Sequence, residues 1–294
     1  MLNGTKLAIQ NGFKINPVVF RYSTSEYNFD RNDNTIYKGV KSVKGLGKES
    51  GDAIYKIRNN KYDTFSELLF DMVTNVKVNQ GKIRTLVKLN YFIEFGKMRK
   101  LLKILDMFFG DKEGLMYKKN QYCKKTAKKD NLPFDEEIIK KYSKKETPKQ
   151  YSLENFVGVI GELEKTIPDE GCTVKERAQW QIDFIGYVDI IDTSDPDKCV
   201  VISKSENQWN TIVDLYNLAK GTTVKFKLRN RNKIENFSAG DIMNVRSYEQ
   251  KLRVTPRRDE KGDIIRNPRN GKPKYYDETD KLEWILNSYF MEVF

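Results

Sequence analysis

With 294 residues, 38% of them hydrophobic and 12% aromatic, the chain can build packed cores in two modest domains and is too apolar to be wholly disordered. Lys and Arg outnumber Asp and Glu by 53 to 41, a net charge of +12 that favours a polyanionic partner, nucleic acid ahead of an acidic membrane surface. There is no histidine, so the commonest general base and every His-containing metal motif are excluded, and Cys123, Cys172 and Cys199 stand too far apart for a zinc knuckle or a disulfide framework.

The first stretch, 7–29, carries β-branched and aromatic residues around Pro17 and reads as extended, irregular chain leading into the polar turn 30–34. A compact helical region is expected over 40–109. Within it Thr64-Phe65-Ser66-Glu67 has the form of a capping box, in which Thr64 caps a helix and Glu67 reaches back. Asn79 is the expected N-cap of another helix. Met98, Leu101, Leu102, Leu105, Phe108 and Phe109 fall at helical spacing, with Lys97, Arg99, Lys100 and Lys103 available for the wet face.

Residues 110–150 are rich in lysine and poor in large apolar side chains, apart from Leu115, Met116, Ile138 and Ile139, and read as a basic linker with short helices. Glu136 and Glu137 sit among those lysines and read as solvated. Further helices are expected over 153–163 and 173–179.

After Trp180 the period switches to two. Ile182, Phe184, Val188 and Ile190 share one side of an expected strand, and Val224, Phe226 and Leu228 alternate with Lys225, Lys227 and Arg229 in the clearest strand of the chain. Segments 198–203, 241–246 and 282–294 supply more strands, with a helix expected over 208–219 and Trp209 reading as a core residue. Lys261-Gly262-Asp263 and Asn270-Gly271 are hairpin signals. Short strands with one interrupting helix predict a small closed β-barrel.

Two places carry chemistry suited to nucleic acid. At Lys44-Gly45-Leu46-Gly47 the expectation is a helix, a tight turn and a second helix opening near Lys48. Glycine permits φ > 0 and close backbone approach, N–H groups at the start of the second helix can bind a phosphate oxygen, and Lys41, Lys44 and Lys48 add charge. That is the logic of a helix-hairpin-helix gripping the sugar-phosphate backbone, although an ordinary helical corner would use the same glycines for geometry alone. From Lys251 to Lys274 there are nine basic and three acidic residues, among them Arg253, Arg257 and Arg258, followed by Tyr275-Tyr276. Such a segment is expected to be a flexible loop that contacts DNA, with Lys225, Lys227, Arg229, Arg231 and Lys233 extending the basic surface over the barrel. The acidic clusters Asp30 to Asp33 and Asp195-Pro196-Asp197 sit in turn sequence, where Asp serves local hydrogen bonding, so no catalytic residue and no metal site is assigned. No apolar run approaches the ~20 residues that span a bilayer and 1–11 lacks a signal peptide's apolar region, which points to the cytoplasm and away from a membrane.

The order of elements around the hairpin resembles the alpha subunit of bacterial DNA polymerase III. The resemblance runs through the Pro-containing segment 15–29 with Ser25 and Phe29, through Tyr37 to Gly47, through Phe65-Ser66-Glu67-Leu68, and through Val78-Asn79, Leu86-Val87-Lys88 and 92–99 as a second hairpin and its following helix. Lys82 and Arg84 fall in that second motif and join the expected DNA-binding set. Leu89-Asn90-Tyr91 stands where the family has a small residue or glycine; Asn tolerates the left-handed conformation, so the turn can survive.

The resemblance implies a multidomain α+β protein: an extended segment over 1–35, tandem helix-hairpin-helices over 36–110, a basic linker over 111–178 and an OB-like barrel over 179–294 that takes single-stranded DNA. It also implies a sliding-clamp peptide, to which Gln150, Leu153 and Phe156 are similar. The family's phosphoryl-transfer site, where carboxylates hold magnesium, lies upstream of anything in this chain. The expected function is therefore to grip template-primer DNA while a separate chain supplies catalysis, as in a split replicase of a phage or mobile element. A stand-alone accessory or processivity protein is the alternative.

Overall fold

A computed structural model describes residues 8, 10–110, 116–206, 210–229, 236–269, 271–274 and 276–292. The chain divides into two compact units, Met1–Thr173 and Val174–Phe294.

The first unit opens with β1 (Lys14–Asn16), β2 (Asn28–Asp30) and β3 (Thr35–Tyr37), a small sheet in the order β1-β3-β2, so the stretch expected to be irregular is pinned by pairing. A single 3-10 turn at Val40–Ser42 precedes α1 (Lys48–Lys56); the full first helix expected before the hairpin is reduced to that turn. Three helices follow: α2 (Phe65–Thr74), α3 (Gln80–Lys88) and α4 (Met98–Phe109). Their apolar faces bury Leu68, Leu69, Met72, Ile83 and Leu86, and in α4 Leu101, Leu105 and Phe108 follow the helical spacing read from the sequence.

Beyond residue 115 the expected linker is a packed body. It comprises α5 (Met116–Lys119), β4 (Gln121–Cys123), α6 (Lys124–Lys129), α7 (Glu136–Lys141), β5 (Ser143–Glu146), β6 (Gln150–Leu153) and α8 (Phe156–Leu163), with the three strands in the order β4-β6-β5. Tyr122, Ile139 and Tyr151 are fully or almost fully buried there. Lysine richness misled because each long side chain reaches solvent from a backbone whose aromatic and β-branched neighbours point inward.

The second unit is an OB-like barrel. Helix α9 (Val174–Ile185) leads into β7 (Lys198–Glu206), β8 (Asn210–Asn217), β9 (Thr222–Arg229), β10 (Ile242–Pro256) and β11 (Tyr276–Met291). The barrel closes in the order β10-β11-β9-β8-β7, with β9 and β11 parallel and the other pairs antiparallel. Val201, Val213, Leu215, Phe226, Leu228, Met243, Val245 and Leu286 fill the interior.

Two expectations fail in this unit. The helix expected over 208–219 is strand β8, because Thr211, Val213 and Leu215 alternate inward between two partner strands and non-local pairing overrides the local pattern. The strand expected after Trp180 is instead the end of α9: Val174, Ala178 and Ile182 recur every four residues and pack with Val188, Ile190, Val200, Tyr216 and Ile242. Gly186, with φ +77°, ends that helix, and only then does the chain turn extended. Trp209, Arg231, Lys233, Asn270 and Tyr275 lie outside the described residues, as does Leu115.

Candidate nucleic-acid interface

Each helix N-terminus exposes N–H groups that the helix cannot satisfy itself, so what meets them reveals what a helix end is for. In α2, Thr64 Oγ1 accepts from Glu67 N–H at 3.3 Å, as the capping box requires. Glu67 returns its carboxylate one residue earlier than expected, to Asp63 N–H at 2.8 Å. The first N–H groups of α2, those of Phe65 and Ser66, donate to the Glu164 carboxylate at 3.0 and 3.1 Å. Burial pushes that carboxyl above the ordinary glutamate value, against the two backbone bonds and nearby Lys100, which lower it. In α3, Asn79 Oδ1 accepts from Lys82 N–H at 3.0 Å, the cap read from the sequence.

At α4, residues 169–171 occupy the helix end. Asp169 accepts from Lys97 N–H at 2.6 Å, and the carbonyls of Glu170 and Gly171 accept from Arg99 N–H and Nε at 3.2 and 3.3 Å. The turn before α4 survives as expected, with Asn90 at φ +62°.

The start of α1 differs from all of these. Its N-cap is Gly47, which supplies no side-chain acceptor. Gly45 sits at φ +82°, a conformation that favours glycine. Gly47 has φ −91°, open to any residue, and a Cβ there would meet nothing within 4 Å. Nothing inside the fold therefore demands glycine at 47. Lys44 and Lys48 are exposed on either side, while Leu46, included among the expected contacts, is 4% exposed and anchors the turn in the core. The hairpin is held from behind by residues 24–26: Val40 and Lys41 N–H groups donate to the carbonyls of Thr24 and Ser25, and Gly39 lets that strand pass, since a Cβ there would lie 2.4 Å from the Glu26 carbonyl carbon.

Other expected contacts are committed within the protein. Lys41 pairs with Glu26 at 3.0 Å, Lys82 Nζ donates to Ser50 at 2.8 Å, and Arg84 pairs with Asp106 at 2.5 Å. Lys82 and Arg84 thus tie α3 to α1 and α4. Leu153 and Phe156 are 4% and 3% exposed, and Phe156 packs edge-on against Phe108, so the residues resembling a clamp peptide serve as core. Side chains so buried cannot enter a partner's pocket without unpacking this unit. Gln150 begins β6, opposite Cys123.

In the barrel unit, Lys225 is exposed 3.6 Å from Asp214 and Lys227 lies 3.4 Å from Glu283. The backbone of Arg229 ends β9, and its side chain lies outside the described residues. Lys225, Lys227, Arg253 and Lys281 surround a cleft of about 640 Å³ lined also by Phe226 and Trp284. Sequence reading missed Lys281 and Trp284, whose places follow from β11 separating from β9 and have no local signal. Arg253 is exposed, Lys251 pairs with Glu249 at 2.8 Å, Arg257 with Asp277 at 2.5 Å, and Arg258 donates to the Gly262 carbonyl at 2.6 Å. Asp30 and Asp195 accept from Asn32 and Asp197 N–H groups, the turn roles expected of them. Among the described residues, no three His, Cys, Asp or Glu side chains form a metal-holding group, and no helix is long and apolar enough to cross a membrane.

The helix-hairpin-helix motif family matches residues 12–102. Over these residues the chain is similar to the helix-hairpin-helix motif. No curated protein matches the chain. The match spans the 14–37 sheet, the open hairpin and the start of α4, so the extended segment expected to stand apart over 1–35 is shared between the two sides of that boundary.

Proposed function

We propose that this protein is a DNA-holding component of a replicative polymerase similar to the bacterial DNA polymerase III alpha subunit, gripping template-primer duplex while a separate chain, using magnesium, supplies catalysis in the cytoplasm. The observation that carries the reading is the start of α1: an uncapped helix end behind Gly45 and Gly47, flanked by exposed Lys44 and Lys48. Such an end attracts a phosphate oxygen through its N–H groups and its dipole, without reading bases. The order of the elements, hairpins first and an OB-like barrel after, supports the replicase reading, and the basic cleft on the barrel suits an unpaired strand leaving the duplex.

The test is primer extension. The protein alone should incorporate no nucleotide; mixed with a polymerase chain encoded beside it that carries the metal-binding carboxylates, it should raise extension and lower the template-primer concentration needed. Incorporation by this chain alone would refute the division of labour, and tight duplex binding without any effect on that partner would favour a stand-alone accessory protein.

A further inference from the structure

Strands β10 and β11 are 15 and 16 residues long, far longer than barrel closure needs. β10 meets β7 only over Ile242–Asn244, and β11 meets β9 only over Trp284–Leu286. Beyond those contacts the two strands pair with each other, through Lys251↔Glu283 and Leu252↔Leu282 out to Pro256↔Tyr276. Lys251, Leu252, Arg253 and Val254 are exposed in succession, and on one side Arg253, Lys281 and Leu282 border the barrel cleft. The six residues of β10 over 251–256, at about 3.4 Å each, make it roughly 20 Å long before its tip.

The tip is ordered. Bridges Arg258↔Ile264 and Arg266↔Pro273 build two small turns around Gly262 and Gly271, and Arg258 and Arg266 donate to the carbonyls of those glycines. Charge is concentrated on the outgoing strand and tip, where residues 251–274 hold nine basic and three acidic side chains. The returning strand carries Asp277, Glu278 and Asp280, of which Asp277 is paired with Arg257.

A free two-stranded ribbon has no core of its own and gains stability only when something covers it. We infer that the β10–β11 ribbon is an arm that lies in the major groove of duplex DNA. This inference rests on the reading of the chain as a DNA-binding protein and assigns it a second duplex contact. A major groove about 12 Å wide admits a two-stranded ribbon, and a ribbon of about 20 Å with its tip fits within the ~34 Å of one helical turn. The exposed apolar side chains Leu252, Val254 and Leu282 suit thymine methyl groups on the groove floor, while the basic side chains neutralise the phosphates at its edges. An unpaired strand fits less well, because base stacking needs a succession of open aromatic faces and Tyr276 is the one strongly exposed aromatic among the described residues beyond Gln250↔Trp284.

Two variants of the full chain test the arm. One replaces residues 253–281 by Asn-Gly, which joins the facing residues Leu252 and Leu282 through a two-residue hairpin loop and leaves the barrel interior intact. The other combines Lys261→Gln and Arg269→Gln at the tip, away from the barrel cleft, and decides the matter if the shortened ribbon fails to fold. Anisotropy titrations over a range of salt, on a duplex and on its single strand, should show a loss of about tenfold on the duplex with the salt slope shallower by about 0.9 per phosphate contact removed. Protection of guanine N7 from methylation should disappear over part of a turn, while single-strand affinity stays unchanged in the point variant and falls in the shortened one only through the loss of Arg253 and Lys281 from the cleft. Unchanged duplex affinity and N7 protection would overturn the arm, and so would a loss confined to the single strand. Lys44→Glu with Lys48→Glu should weaken binding while N7 protection remains at saturating protein; if that pair has no effect while the ribbon variants do, the hairpin reading fails and the arm stands.

Discussion

The two hairpins of the first unit share a construction and differ in what meets the helix that follows. At the second, Asp169 and the carbonyls of Glu170 and Gly171 fill the start of α4. At the first, Gly47 leaves the start of α1 without a side-chain acceptor, and Lys44 and Lys48 stand exposed beside it. Elsewhere in this unit Glu164 presents a carboxylate to α2 and Asn79 caps α3. One helix end thus lacks a side-chain acceptor while its neighbours are served by the chain itself. A helix end satisfied internally stabilises the fold; an unsatisfied one costs stability and retains binding capacity.

Charge reversal should separate the two most strongly. Lys44→Glu with Lys48→Glu is expected to lower duplex affinity about tenfold or more and to flatten its salt dependence, whereas Lys97→Gln at the second hairpin should change affinity less than threefold. Equal effects in anisotropy titrations would erase the distinction between the hairpins.

Next in size is the internal anion. Glu164→Gln should cost about 1–3 kcal/mol in urea unfolding, because an amide cannot accept from both Phe65 and Ser66 N–H groups. Since burial raises the Glu164 carboxyl, the folded protein holds that proton more tightly than the unfolded chain does. Its stabilising contribution is therefore full below the ordinary glutamate value and is lost as pH rises to the raised one. The difference between wild type and Glu164→Gln should shrink with rising pH across that window, and a difference that grows would reverse the sign argued here.

Asp169→Ala should cost less, about 0.5–1 kcal/mol, because its bond to Lys97 N–H is exposed to solvent. Duplex affinity should not fall, and a marked fall would place the second hairpin on the DNA. The smallest effect is the most diagnostic. Gly47→Ser should raise stability by a few tenths of a kcal/mol by supplying the missing cap, yet weaken duplex binding, because its hydroxyl takes the N–H groups a phosphate would use. Stability and affinity rising together would remove the reason given for glycine at this position.

Much of this contrast was legible along the chain. The Gly45 turn, the Thr64 and Asn79 caps and the left-handed Asn90 depend on residues within three or four positions of one another, and local backbone chemistry sets them. The amphipathic stripe of α4 and the alternation in β9 are equally local. Where a non-local partner decides, local reading failed: β8 reads as a helix until β7 and β9 flank it, and the end of α9 reads as a strand until its every-fourth-residue stripe meets the outer wall of the barrel.

By itself, then, the sequence determined a basic, histidine-free chain with an open glycine hairpin, the helices around it and a barrel of alternating strands after it. Only the tertiary structure decided which charged groups remain available. Lys82 and Arg84 are committed to Ser50 and Asp106, Leu153 and Phe156 are buried, and Glu164 and Asp169 arrive at helix ends from 99 and 72 residues away. The physical reason is the range of the interactions. Turns and caps are fixed by neighbouring dihedrals, whereas the pairing of a buried or bridging charge depends on which distant segment the folded core brings against it.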